Sequence, residues 1–113
     1  MGHEKSPLVM LVLKMLDKKD MYGYQIIEEL AEKSSEMLRL KSGTLYPVLH
    51  SMENSGIITS YNQNAAGRMR KYYRITQQGS KALEHKKEEW NNYTKTINTI
   101  LEGSANAWIL KTT

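Results

Sequence analysis

Cysteine is absent from this sequence, proline occurs only twice, and no apolar run is long. Without thiols the chain can form neither a disulfide bond nor a thiolate metal site, since both require cysteine sulfur. The longest apolar run covers residues 8–13, far short of the roughly 20 residues in a membrane-spanning helix. The N-terminus lacks the basic, apolar and small-residue pattern of a signal peptide. We therefore expect a small cytoplasmic protein with no membrane segment, metal ion or cofactor.

The residue types that enzymes use are present but scattered. The three histidines, His3, His50 and His85, lie far apart, and none has partners at metal-ligand spacing. No hydroxyl, histidine and carboxylate combine in a recognisable nucleophile arrangement. No glycine-rich phosphate loop follows a predicted strand. His85 lies beside Glu84 and Glu88 and is better explained as part of a solvated helix face. We therefore expect a binding protein and not an enzyme.

Positive charge is concentrated in the middle of the chain. The net charge is +4, and residues 41–74 hold five basic side chains against a single acidic one. A concentrated basic region attracts polyanions through a field that dispersed charges would not produce. The alternative is a solvated basic surface without a partner, and charge alone leaves both open.

Two helices are predicted in the first third of the chain. The first runs from about Pro7 to Leu16, with Ser6 as the N-cap and proline at the first helical position. It is apolar on nearly every side and should be buried. The second runs from about Tyr22 to Lys33 and ends in the polar residues 34–36.

A third helix begins near Ser42 or Thr44 and stops at Gly56. An apolar stripe at helical spacing gives it one buried face, formed by Leu45, Val48, Leu49 and Met52. Pro47 must lie close to the start of this helix, because deeper inside it would remove a backbone hydrogen bond.

The pattern then changes to that of a β-hairpin. Residues 57–61 and 71–76 are rich in β-branched and aromatic residues, which are typical of strands. Residues 62–67 are predicted to form a polar, flexible turn between them. Tyr72 and Tyr73 alternate in a strand, so one should face the core and the other the surface. Spacing alone does not assign which.

A long helix is predicted from about Gln77 to Leu101, with Thr76 as its cap. A helix of about 25 residues is roughly 37 Å long, more than a core of this size can cover. Its heptad stripe is interrupted only by Lys86, and we expect its apolar members to form a homodimer: Leu83, Trp90, Tyr93, Ile97 and Ile100. The alternative is that the stripe packs on the chain's own core. The apolar residues 107–110 should also be buried.

Three helices, a basic hairpin and a long helix, in this order, are typical of a winged helix-turn-helix. We predict a mainly α fold with a β-hairpin wing. Residues 1–76 would form the DNA-binding domain, and residues 77–113 the C-terminal dimerisation helix and tail. The third helix would enter the major groove, where residues at the start of such a helix reach the base edges.

The predicted DNA contacts lie on the third helix and the wing. The helix face opposite the apolar stripe carries polar side chains: Lys41, Ser42, Thr44, Tyr46 and His50. The hairpin carries basic side chains placed for phosphates or the minor groove: Arg68, Arg70 and Lys71. Gly43 would let the helix backbone approach DNA closely. Tyr46 could instead pack into the core, and Tyr22, a candidate phosphate contact, could do the same.

Three segments resemble the PadR family of transcriptional regulators: YGYQII at 22–27, SGTLYPVL at 42–49 and GRMRKYYRIT at 67–76. The resemblance covers about residues 7–101. It implies a dimeric winged-helix repressor that binds inverted-repeat operators, commonly with ATGT-type half-sites. The single C-terminal helix is similar to that of the shorter PadR subfamily, in which this helix builds the dimer.

The resemblance also implies a possible effector site, because some relatives bind aromatic or cationic drugs between the subunits, around a tryptophan. Met10, Trp90 and Tyr93 would line that site here. Lys86 and Lys87 lie close to Trp90 in sequence and would repel cationic ligands. The plainer alternative is that Trp90 only anchors the dimer. For the whole protein, the alternative is a winged-helix protein–protein interaction module that never meets DNA; the basic residues favour DNA.

Overall fold

The computed structural model describes residues 7–103, which form helices, a small sheet and a wing in the predicted order. The elements are α1 (Leu8–Lys18), β1 (Met21–Tyr22), α2 (Gly23–Lys33), α3 (Ser42–Asn54), β2 (Ile58–Ala65), β3 (Arg68–Ile75), α4 (Gln77–Asn98) and a π-helical segment (Thr99–Gly103). The predicted mainly α fold with a β-hairpin wing is confirmed. Within the described residues, no helix is long and apolar enough to span a membrane. The predicted N-cap Ser6 and the tail, 104–113, lie outside the described residues.

One apolar core joins the first three helices, the sheet and the start of α4. The predicted stripe of α3 is confirmed, since Leu45, Leu49 and Met52 are buried and Val48 is half-buried. The core has large, fully buried members from all four α-helices and from β2: Val12, Leu13, Leu16, Ile26, Leu45, Leu49, Ile58 and Leu83. Each such side chain contributes about 1.5–3 kcal/mol through removal of its apolar surface from water.

The chain divides into two compact units between Leu83 and Glu84. Leu83, which the heptad spacing assigned to the dimer surface, is only 2% exposed and packs in the core of the first unit. We therefore remove it from the proposed dimer contacts, because heptad spacing does not tell which end of a stripe meets the chain's own core. The functional division into residues 1–76 and 77–113 stays a prediction.

The wing is longer and more regular than the sequence suggested. β2 and β3 pair residue for residue from Ile58↔Ile75 to Ala65↔Arg68, so the prediction of a flexible turn over 62–67 is wrong. The turn itself is only Ala66-Gly67, with φ of 54° and 78°. Positive φ at both positions is the signature of a tight type I′ hairpin. Asparagine is depleted in strands, but Asn62 and Asn64 are held in β2 here by backbone pairing with β3.

The short strand β1 was not predicted, because two residues show no periodicity. It adds to the free edge of β3, giving the strand order β1-β3-β2. Met21 pairs with Tyr73 and Tyr22 with Tyr72. This pairing brings the start of α2 against the wing.

Local chemistry is visible at the start of α4 and inside α3. Thr76 caps α4 as predicted: its Oγ1 accepts a hydrogen bond from the Gly79 N–H at 3.0 Å and donates to the Gly56 carbonyl at 2.7 Å. Pro47 lies inside α3, deeper than predicted. Its missing N–H leaves the Gly43 carbonyl without a helical donor. Both residues are exposed, so water can satisfy that carbonyl.

Candidate nucleic-acid interface

The exposed face of α3 carries every residue that the sequence assigned to it. The assigned side chains are all exposed: Lys41, Ser42, Thr44, Tyr46 and His50. The opposite face is held in the core by Leu45 and Leu49. Gly43 has open space in front of it, since a β-carbon there would meet nothing within 4 Å. The start of α3 therefore offers hydroxyls, a cation and bare backbone to a partner.

Tyr46 combines the two alternatives that the sequence left open. Its side chain is 44% exposed, and its ring also packs against the first residue of α2. A β-carbon added at Gly23 would lie 2.1 Å from Tyr46 Oη, so only glycine permits this approach. The two helices of the helix-turn-helix therefore meet through the hydroxyl end of Tyr46, while the residue as a whole stays partly exposed.

The basic residues of the wing divide between its two faces. Arg68 and Arg70 occupy alternate positions of β3 and so share one face, whereas Lys71 points to the other. Lys71 Nζ lies 3.8 Å from a Glu53 carboxylate oxygen and 5.6 Å from the centre of the Tyr73 ring. Its charge is therefore partly compensated, while Arg68 at the tip is exposed.

Glu53 connects α3 to both strands of the wing. Its carboxylate accepts a hydrogen bond of 2.5 Å from Ser60 Oγ of β2 and faces Lys71 of β3. Beneath it, Tyr73 is buried in the core. Burial raises the pKa of Tyr73, and the nearby Tyr46 and Glu53 add to that shift. The third helix and the wing are thus held at a defined separation.

Three tyrosines lie side by side across the outer face of the sheet; we call Tyr22, Tyr72 and Tyr61 the tyrosine row. The rings of Tyr22 and Tyr72 meet edge to face at 5.5 Å, and those of Tyr72 and Tyr61 stack at 5.7 Å. This assigns the pair that the sequence left open: Tyr73 faces the core and Tyr72 the outer surface. The sequence did not single out Tyr61, although it alternates with buried Ile58 and half-buried Ser60.

Asp20 secures one end of the tyrosine row. Its Oδ2 accepts hydrogen bonds from Tyr61 Oη at 2.5 Å and from Arg74 Nε at 3.1 Å. The bond to Asp20 raises the pKa of Tyr61, with a smaller contribution from burial. Arg74 also lies over the Tyr61 ring, 4.9 Å from its centre. Arg74 is one of the five basic residues of the middle segment, yet its charge is compensated inside the fold.

The second unit, described from Glu84 to residue 103, presents an apolar surface. Trp90 is 39% exposed and Ile100 60% exposed, while Tyr93 is exposed and Ile97 half-buried. The rings of Trp90 and Tyr93 lie 5.9 Å apart. Met10, the third predicted effector contact, is half-buried in the first unit. Over the described residues, no cluster of histidine, aspartate and glutamate could hold a metal ion.

Comparison with known proteins places this geometry in a family. The model of the "Transcriptional regulator PadR-like family" matches residues 12–85. A transcriptional regulator from Clostridium thermocellum is 34% identical, with a TM-score of 0.80 over 85% of this chain and 94% of its own. A PadR family regulator from Clostridium difficile is 39% identical, with a TM-score of 0.76 over 85% and 99%. A transcriptional regulator of Mycobacterium tuberculosis is 30% identical over 80 residues, which are 71% of this chain and 72% of that protein. The members of this family regulate transcription and are not enzymes, and the chain belongs to the PadR-like family of transcriptional regulators.

Proposed function

We propose that this DNA-binding regulator represses transcription by occupying an inverted-repeat operator as a homodimer. The observation that carries the proposal is the exposed start of α3 beside a wing whose Arg68 and Arg70 share one face. A helix of this kind reads base edges, and basic side chains of a wing hold phosphates or the minor groove. In this proposal Thr44 and Tyr46 contribute to sequence preference, whereas the arginines contribute affinity.

The basic residues are not equivalent in this proposal. Lys71 was expected to contact DNA, but it lies on the Glu53 side of the wing. We assign it a smaller share of the phosphate contacts than Arg68 and Arg70, because part of its charge already faces a carboxylate. Lys41, Ser42 and His50, all exposed, complete the proposed contact surface.

The homodimer is proposed from the apolar surface of the second unit. Large apolar side chains are rarely left exposed together in a monomer, and here they follow one heptad stripe: Trp90, Tyr93, Ile97 and Ile100. Leu101, which the sequence did not single out, extends this surface. Two copies of the helix would bury these side chains against each other.

Trp90 and Tyr93 also support a proposed effector site for a small aromatic ligand, whereas the expected contribution of Met10, which lies in the first unit, stays a prediction. The two rings lie close together with 39° between their planes, so a flat molecule could stack on one of them. Titrating planar aromatic compounds while recording tryptophan fluorescence tests this proposal. Quenching that also releases DNA would support it, and an unchanged signal across a broad panel would count against it.

Fluorescence anisotropy of labelled DNA from the gene's own upstream region tests the main proposal, with scrambled DNA as the control. Tight, sequence-dependent binding with a steep dependence on salt is expected, because each phosphate contact releases counterions. Binding to neither duplex at low salt would contradict the proposal and favour a protein–protein interaction module. Alanine at Thr44 should reduce the preference for the specific duplex, whereas alanine at Arg68 should weaken binding to both duplexes equally.

A further inference from the structure

Two of the arginines on the outer face of the sheet differ in whether a carboxylate compensates their charge. Arg70 and Arg74 lie on the same face of β3, on either side of Tyr72. The Arg74 guanidinium is bound to the Asp20 carboxylate, with Nη2 at 2.9 Å. Arg70, by contrast, forms no ion pair with any carboxylate of residues 7–103. The fold therefore compensates the charge of Arg74, while Arg70 faces no carboxylate of the described residues.

Although it faces no carboxylate of the described residues, the Arg70 side chain is held in place. Its guanidinium carbon lies 4.2 Å from the centre of the Tyr22 ring, and the side chain is half-buried there. Stacking of this kind covers one flat face of the guanidinium and leaves its N–H edge available. Arg70 is thus a cation with a fixed position, and no acceptor within residues 7–103 occupies its N–H donors.

Tyr22 can hold Arg70 because Tyr22 is itself fixed. Its ring meets the edge of Tyr72, which stacks on Tyr61, and Tyr61 is hydrogen-bonded to Asp20. The Tyr22 backbone N–H donates to Gln25 Oε1 at 3.1 Å, and Tyr22 pairs with Tyr72 in the sheet. The tyrosine row therefore connects Arg70, through three adjacent rings, to a half-buried carboxylate at its far end.

We propose that Tyr22 is a positioning residue of the DNA interface, which acts through Arg70 by holding its guanidinium ready for a phosphate. The proposal rests on the proposed DNA binding and replaces the expectation that Tyr22 touches phosphate itself. A guanidinium already ordered before DNA arrives loses less side-chain freedom on binding. Its planar donors also match two phosphate oxygens at once, which a lysine ammonium cannot do.

A double-mutant cycle tests the proposal with the full chain and a labelled mixed-sequence DNA duplex, since phosphate contacts do not depend on sequence. Arg70→Ala should weaken binding and lower the slope of log affinity against log salt by about 0.9 for each phosphate that is no longer neutralised. Tyr22→Leu should weaken binding by about two- to fivefold, the worth of an exposed cation–π contact, and leave the slope nearly unchanged. In the Arg70→Ala background, Tyr22→Leu should have no further effect.

Three controls separate this role from the alternatives. Tyr22→Phe keeps the ring and should bind like the parent, whereas a loss equal to that of Tyr22→Leu would mean a direct hydroxyl contact and overturn the proposal. Arg70→Lys keeps the charge without the flat guanidinium and should match Tyr22→Leu, which gives a second reading if the leucine variant folds poorly. Arg74→Ala removes an equal but compensated charge and should change the salt slope least.

The outcomes distinguish this inference from the proposed function. If the parent fails to bind any duplex, the proposed function fails before a variant is made. If the parent binds with a steep salt dependence but Tyr22→Leu costs as much in the Arg70→Ala background as alone, DNA binding stands and the positioning role is refuted. Thermal unfolding of each variant confirms that the compared proteins are folded.

Discussion

Replacing Gly23 with alanine tests the contact between α2 and the exposed face of α3. A β-carbon at this position would lie 2.1 Å from Tyr46 Oη and 2.5 Å from Tyr46 Cζ, so the ring must move. Because the Tyr46 side chain is partly exposed, it can swing toward solvent. Overpacking costs about 1–3 kcal/mol, while alanine gains about 0.4–1 kcal/mol over glycine through the unfolded chain. We expect Gly23→Ala to lower the free energy of unfolding by about 1–2 kcal/mol and to weaken DNA binding.

The assay is denaturant unfolding at one fixed protein concentration, in the parent and in a Tyr46→Ala background. Removing the ring clears the space, so Gly23→Ala should there become stabilising by about 0.4–1 kcal/mol. Gly43→Ala is the matched control, since its β-carbon would meet nothing within 4 Å; it should not destabilise either background. If Gly23→Ala were as stable as its parent while Tyr46 is present, the close packing of that ring would be refuted.

Three further predictions follow from contacts at other places in the fold. Gly79→Ala would place a β-carbon 2.0 Å from the Ile57 carbonyl oxygen, a backbone atom that cannot swing away. Denaturant unfolding should therefore show a larger loss in the free energy of unfolding than for Gly23→Ala, about 3 kcal/mol or more. A smaller loss would mean that α4 shifts easily. The raised pKa of Tyr61 means that the folded state resists ionisation, so stability should fall as pH rises from about 10 toward that raised value. Tyr61→Phe should flatten this decline in unfolding curves measured at successive pH values, and an unchanged decline would exclude the hydrogen bond as its cause. Trp90→Ala should shift the sedimentation of the protein toward the monomer at dilution, whereas the exposed neighbour Asn91→Ala should not; equal behaviour of the two variants would argue against a dimer through this surface.

Elements with a repeating pattern were predictable from the sequence. The stripe from Leu45 to Met52 identified the buried face of α3, and therefore its exposed face, because side chains four residues apart lie on one side of a helix. The hairpin was recognised from its two β-rich ends, but its extent was not. Residues 62–65 pair with β3 without any large apolar residue to reveal the strand, because this part of the wing has no core to pack on.

The electrostatic organisation of the site was not predictable, because it depends on contacts between distant parts of the chain. Asp20 is 41 residues from Tyr61 and 54 from Arg74, and no local pattern links them. Counting charges treated Arg70, Lys71 and Arg74 as equal members of one basic segment. The fold makes them unequal: within the described residues, two face carboxylates and one does not.

Because Glu53 contacts both wing strands from α3, the distance between α3 and the wing would already be set before the protein binds DNA. The helix can bind in one groove and the wing tip in the next only where the spacing of the two grooves equals the distance between α3 and the wing. The width of a groove depends on base sequence even at positions that no side chain touches. Stretches of DNA that are stiff and too narrow or too wide would then be rejected for their shape, before any base edge is read. Glu53→Gln weakens the contacts of α3 with the wing. This variant should therefore discriminate less between DNA sequences that differ only at positions that the protein does not contact.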